Sequence, residues 1–243
     1  MVYQAIATDY DGTLATDGRV EPSTLAALRH WHEGGGKLIL ITGRQLQDLL
    51  QVFPEITVFD WVVAENGALL YHPQSQREKP VGEPPPEGFI KTLHDRILQS
   101  RPTNSNDISD DLTRLQNQYY PLYLGRVVVA TWEPHSTEAI ALIREMGLDL
   151  QVILNKGAVM ILPAGLDKAS GLRAVAQELG LTLEAIVGIG DAENDLAFLE
   201  ICGYAAAVAN ALPEVKVVAD WVARCDRGDG VVELIEMLLA QRH

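Results

Sequence analysis

The chain has 243 residues, 47% apolar and 21% charged, enough for one hydrophobic core or two of unequal size. No apolar run approaches the length of a membrane span, and the opening Met-Val-Tyr-Gln-Ala-Ile lacks the basic start and cleavage site of a secretory signal, so a cytoplasmic location and no membrane partner are expected. A net charge of −14 repels nucleic acid backbones and excludes them as partners, and an anionic substrate must find a locally positive spot. The two cysteines, Cys202 and Cys225, fit a reducing compartment and read as small apolar side chains.

Residues 2–8, with Val2, Ala5, Ile6 and Ala7, form a buried strand that stops at Asp9. Pro22 and Ser23 start a helix with Leu25, Leu28, Trp31 and His32 at helical spacing, and Gly34-Gly35-Gly36 stops it. Leu38–Ile41 is a second strand. Thr42-Gly43-Arg44 stands at its carboxyl end, before a helix whose apolar face is Leu46, Leu49, Leu50 and Phe53 and which Pro54 closes. Trp61–Ala64 is a third strand, so the alternation is that of a parallel sheet covered by helices.

From His72 to Gly88 the chain is rich in Pro, Gln, Glu and Lys and contains Pro84-Pro85-Pro86, which reads as a stiff solvated connector and a domain boundary. A mixed region follows. It has a helix with Ile90, Leu93 and Ile97, a polar stretch from Arg101 to Asp111, a strand over Val127–Trp132 and a helix with Ala139, Ile140 and Ile143. Strands Val152–Leu154 and Val159–Leu162 flank a tight turn at Asn155-Lys156-Gly157. The helix–strand rhythm resumes at Lys168, with Leu172, Val175, Ala176 and Leu179 on one face, then strand Ile186–Ile189 ending at Gly190-Asp191. Strands Ala205–Val208 and Trp221–Ala223 and helices Leu212–Ala219 and Val231–Leu239 complete the chain. The four tryptophans read as packing residues, though Trp132 and Tyr119-Tyr120 are placed to line the inserted region.

Asp9-Tyr10-Asp11-Gly12-Thr13 and Gly190-Asp191-Ala192-Glu193-Asn194-Asp195 each follow an apolar strand, at the carboxyl edge where open α/β sheets place ligands. Carboxylates that converge there repel one another unless a cation lies between them, and hard oxygen ligands suit Mg²⁺. Of the pair Asp9 and Asp11, one carboxylate can attack phosphorus while the other moves protons; the alternative is that Asp-Gly-Thr only makes a turn. Thr42 and the N–H groups that follow it can contact phosphate or merely cap a helix. Lys168 can neutralise a phosphoryl group or be a solvated first-turn lysine. Asp191 can complete a metal site, with Asn194 and Asp195 fixing the ligand or bound water.

The order Asp-x-Asp-Gly-Thr, Thr-Gly-Arg, Lys, Gly-Asp-x-x-Asn-Asp resembles the haloacid dehalogenase superfamily, specifically its phosphatases with a C2-type cap of the Cof, phosphoglycolate phosphatase or sucrose phosphatase kind. The resemblance spans the whole chain. It implies a Rossmann-like, doubly wound parallel core from residues 1–80 and 163–243, with an α+β cap at 81–162 that sits over the active site and sets specificity. It also implies Asp9 as nucleophile and Asp11 as general acid/base. Thr42, Gly43, Arg44, Lys168 and Asn194 fall toward the substrate phosphate, and Asp9, Asp11, Asp191 and Asp195 toward Mg²⁺, with Asp11 ligating through its backbone carbonyl. Glu65-Asn66-Gly67 resembles a stretch of capped members that would put Asn66 near the pocket rim, although a turn into a hairpin explains it equally well. Val208-Ala209-Asn210-Ala211 is similar to a strand-to-helix junction of the family. The expected activity is Mg²⁺-dependent hydrolysis of a small phosphomonoester, such as a sugar phosphate or phosphoglycolate, by a monomer or homodimer. A phosphomutase and a non-catalytic phosphate-binding regulator are the alternatives.

Overall fold

The computed structural model describes residues 3–100, 119–155 and 157–241. Val2, the polar stretch Arg101–Asp111 and the turn residue Lys156 lie outside them. The elements in order are β1 (Ala5–Asp9), α1 (Pro22–Glu33), β2 (Lys37–Ile41), α2 (Leu46–Val52), β3 (Trp61–Ala64), β4 (Leu69–His72), β5 (Arg77–Pro80), α3 (Glu87–Ser100), β6 (Tyr123–Leu124) and β7 (Val129–Trp132). Then come α4 (Ser136–Met146), β8 (Leu150–Asn155), β9 (Ala158–Pro163), α5 (Lys168–Leu179), β10 (Ile186–Gly190), α6 (Leu196–Leu199), β11 (Tyr204–Ala207), α7 (Pro213–Val218), β12 (Trp221–Val222) and α8 (Arg227–Ala240). The chain divides into two compact units, Met1–Val81 with Leu166–His243, and Gly82–Gly165.

The first unit is built on an eight-stranded sheet in the order β12-β11-β10-β1-β2-β3-β4-β5, of which β12 through β3 run parallel and β4 and β5 antiparallel. Strands β1 and β10 are buried along their whole length, as central strands are when helices cover both faces of a sheet. From β1 the chain winds outward through β2 and β3, and after the second unit it re-enters at β10 and winds the other way. The reversal falls between β1 and β10, which places Asp9 and Asp191 side by side at the switch point of a doubly wound sheet.

The local chemistry of each helix explains its limits. Pro22 occupies the first turn of α1, where its missing N–H costs nothing, and Leu25, Leu28 and Trp31 are buried. His32 is exposed, so it does not extend that apolar face as its spacing predicts. In α2 the inward residues are Leu46 and Leu49, whereas Leu50 is 40% exposed; a helix of seven residues presents too narrow a stripe to bury both adjacent leucines. The stretch 72–88 is not all connector. Arg77–Pro80 pairs with β4 as the edge strand of the sheet, held by backbone hydrogen bonds while all four side chains remain exposed.

The second unit is an antiparallel sheet in the order β6-β7-β9-β8 with its own apolar core. Phe89, Leu93 and Ile97 of α3 and Ala139, Leu142 and Ile143 of α4 pack on Val129, Val159 and Ile161 of the sheet. Ile140 turns outward, and Trp132 is 57% exposed, unlike the buried Trp31 and Trp61.

Candidate active site

Asp9 is the last residue of β1, and its side chain enters a buried group with Lys168, Asp191 and Asp195. Lys168 Nζ donates to Asp9 Oδ1 at 2.6 Å and to Asp195 Oδ1 at 2.6 Å, with all three side chains at most 6% exposed. The lysine opens α5, whose first turn is fixed by a reciprocal capping box: Asp167 accepts from the Ser170 N–H at 2.7 Å, and the Asp167 N–H donates to Ser170 Oγ at 3.0 Å. That cap aims the first helical residue inward, so Lys168 is not the solvated side chain that its first-turn position also permits.

Asp195 shapes the loop after β10. Its Oδ2 accepts from the N–H groups of Asp191 and Ala192 at 2.8 and 2.9 Å, which bends the chain back and points Asp191 toward Asp9. Thr13, whose hydroxyl donates to Asp191 Oδ1 at 3.1 Å, clamps Asp191 from the other side. Gly12 makes this approach possible. It has φ +97°, and a Cβ there would collide with the Asp191 carboxylate.

One ligand oxygen from each of Asp9, Asp191 and Asp195 lies within 4.8 Å of the others. Three carboxylates face one ammonium, leaving a formal excess of two negative charges in a buried space, which is unfavourable without a further cation. The Asp9 carboxyl registers this. Burial, reinforced by the charges of Asp195 and Asp191 and opposed by Lys168, pushes it up to about 8. For Lys168 burial pulls downward, but the charges of Asp195 and Asp9 and the hydrogen bonds to both outweigh it and hold the ammonium above its ordinary value. An all-oxygen set with excess negative charge fits a hard divalent ion. Asp9 and Asp191 would hold such an ion through their side chains, since three N–H donors already engage Asp195.

Asp11 leaves this cluster. Its carboxylate receives both arms of Arg44, Nε to Oδ2 at 2.7 Å and Nη2 to Oδ1 at 2.8 Å. Arg44 is therefore committed to a protein carboxylate rather than held out as a free phosphate ligand, as its motif position suggests. Thr42, at the end of β2, is buried and its Oγ1 accepts the Arg44 N–H at 3.1 Å, which leaves the hydroxyl proton to donate elsewhere. Gly43 lies between them in the same turn. Asn194 meets Asn66 at the long distance of 3.5 Å, Nδ2 to Oδ1. Asn66 sits in a buried turn, Glu65–Gly67, in which all three residues have positive φ; Gly67, at φ +104°, packs so tightly on the Asp167 carbonyl that no Cβ fits. Asn210 joins the site from behind: its Nδ2 donates to the Gly12 carbonyl at 2.8 Å and its Oδ1 accepts the Arg227 N–H at 2.8 Å. Thr13 and Asn210 have roles that no sequence spacing signals, because their partners lie 178 and 198 residues away.

Fold and site together define a class of α/β hydrolase with an acidic, lysine-bridged centre at the sheet's switch point. The profile of the haloacid dehalogenase-like hydrolase family matches residues 6–104 and 100–235, and the chain belongs to that family. It is a phosphatase of the family with a C2-type inserted domain. A phosphoglycolate phosphatase of Methanothermobacter thermautotrophicus is 28% identical over 237 residues, covering 97% of this chain and 99% of its own. A haloacid dehalogenase-like hydrolase from Bacteroides thetaiotaomicron superposes with a TM-score of 0.78 at 22% identity, over 97% of this chain and 99% of that one. A sugar phosphatase of the family's subclass IIB gives 0.70 at 18% identity, over 96% and 98%.

Proposed function

We propose that the chain is a Mg²⁺-dependent phosphomonoester hydrolase acting on a small phosphorylated metabolite through an aspartyl-phosphate intermediate on Asp9. The observation that carries this reading is the buried Asp9–Lys168–Asp195 bridge with Asp191 beside it. Asp9 Oδ1 is engaged by the ammonium, while Oδ2 accepts no hydrogen bond among the described residues and is the oxygen available to attack phosphorus. As the Oδ2–P bond forms, the ester P–O bond breaks, and the departing alkoxide takes a proton from Asp11. Water, deprotonated by Asp11, then attacks the acyl phosphate and releases inorganic phosphate, restoring both carboxyl groups. Asp9 and Asp191 would hold the Mg²⁺, which when bound would supply neutralisation of the phosphoryl charge. Lys168 opposes the protonation of Asp9 and orients it, and the Thr42 hydroxyl, the turn at Gly43 and Asn194 hold the phosphate.

We assign the inserted unit, residues 82–165, to substrate selection, as a cap does, and a cytoplasmic location suits two cysteines that are both unpaired. Phosphoglycolate leads the substrate candidates because the relative from Methanothermobacter thermautotrophicus bears that name over nearly its whole length; sugar phosphates come second. The test is kcat/KM across a panel containing phosphoglycolate, hexose phosphates and nucleoside monophosphates. A preference of tenfold or more for phosphoglycolate supports the assignment, and an equal or better rate on the hexose phosphates overturns it.

A further inference from the structure

Asp9 and Asp11 are two residues apart, yet their carboxylates go separate ways. Asp9 enters the cluster with Lys168, while Asp11 is turned out to Arg44 on the loop between β2 and α2. The contact with Arg44 is a fork. Two parallel N–H donors at 2.7 and 2.8 Å fix the distance and also the plane of the carboxylate, which a single-point lysine contact cannot do.

Arg44 is itself held on several sides. Nη1 donates to Asp48 in the first turn of α2 at 2.5 Å, and the guanidinium lies 5.6 Å from the centre of the Tyr10 ring. Tyr10 is fully buried, and its hydroxyl donates to the Gly18 carbonyl at 2.9 Å. The Arg44 backbone is tied down as well, its N–H to Thr42 Oγ1 and its carbonyl to the Glu65 N–H. All three guanidinium nitrogens thus donate to carboxylates of the chain, and the side chain is braced before any substrate arrives. These contacts use three of the five guanidinium N–H donors, so a phosphate could take only the remaining Nη protons and not the Nε–Nη2 edge that holds Asp11.

We infer that Arg44 is a positioning residue for Asp11: its fork holds the Asp11 carboxylate clear of the Asp9–Asp191–Asp195 cluster, in the orientation from which it transfers protons, and it does not bind the substrate phosphate. This rests on the hydrolase reading above and assigns one part of that mechanism.

A double-mutant cycle with Asp11→Asn, Arg44→Ala and both together, assayed with Mg²⁺ on the best phosphomonoester of the panel, tests it. Asp11→Asn should lower kcat by about 10²–10⁴, the range for losing a general acid/base. Arg44→Ala should lower kcat roughly tenfold to a hundredfold with KM within about threefold, and the double variant should be no slower than Asp11→Asn, because residues that act as one unit are not additive. Arg44→Lys, which keeps the charge and loses the fork, should fall between wild type and Arg44→Ala, and it takes the place of Arg44→Ala in the cycle if the alanine protein does not melt cooperatively. Multiplicative losses in the double variant, a rise in KM exceeding the fall in kcat, or a fully active Arg44→Lys would each overturn the inference in favour of direct phosphate binding or a simple charge effect. If Asp9→Asn abolishes turnover and Asp11→Asn does not, the inference fails while Asp9 chemistry stands. If wild type releases no phosphate from any ester, the hydrolase reading fails and takes the inference with it.

Discussion

Lys168 is the side chain on which the centre depends most. Replacing it by Ala leaves Asp9 and Asp195 buried without their shared cation, and breaking such a pair costs about 3–5 kcal/mol of stability. Lys168→Ala is therefore expected to melt well below wild type, and its kcat to fall by about 10²–10³, the scale for losing one preorganised electrostatic donor. An alanine variant that melts like wild type would mean that the ammonium is not neutralising those carboxylates. Asp9 gives a pH signature. Its carboxyl titrates at about 8 in the folded metal-free protein, against an ordinary value of 3.8, so the folded state holds a proton that the unfolded state has released. Stability from this group is complete below the ordinary value and is lost as pH rises from about 4 through about 8. Denaturant melts in EDTA should show that decline, and saturating Mg²⁺ should reduce it, because the cation takes the place of the proton. At this scale the sequence was partly legible: Asp9 and Asp191 announce themselves by ending apolar runs, whereas the burial of Lys168 depends on partners 159 and 27 residues away.

Among the elements, α2 offers the sharpest contrast between pattern and packing. Leu49 and Leu50 are adjacent and chemically identical, but Leu49 is fully buried and Leu50 faces outward. Leu49→Ala should cost about 2–5 kcal/mol in chemical denaturation, whereas Leu50→Ala should stay within about 0.5 kcal/mol. Comparable losses at both positions would show that the helix is rotated from the orientation described. The parallel strands were readable because each is an apolar string between turn residues, and their carboxyl ends then located the site. Strand β5 was not, since Arg-Glu-Lys-Pro buries no side chain and is made a strand only by the backbone of β4. The turn at Glu65–Gly67 reads as a hairpin turn in sequence. Its packing against Asp167 shows that it also supports the helix start that delivers Lys168.

Across the molecule, a chain of net charge −14 concentrates three carboxylates at one sheet edge, where a bound divalent cation would offset part of that excess. Binding to the folded state alone stabilises it by RT ln(1 + [L]/Kd), about 2.7 kcal/mol at a hundredfold excess over Kd. Thermal melts with Mg²⁺ should therefore move upward by roughly 5–10 °C for a chain of this size, and Asp191→Asn should remove most of the shift. A parallel sheet covered by helices was legible from the alternation of strands and helices alone; its doubly wound order followed from the family resemblance. Legibility stopped at contacts that close only in three dimensions, such as Arg44 on Asp11 and Asn210 on Gly12. The proposed mechanism stands or falls on Asp9 as a nucleophile served by a cation. The most direct measurement is inorganic phosphate release from the phosphomonoester panel, with and without Mg²⁺, by wild type and by Asp9→Asn. Metal-dependent release that disappears in Asp9→Asn is the predicted result; release that persists in the variant, or that is indifferent to Mg²⁺ and EDTA, would contradict it.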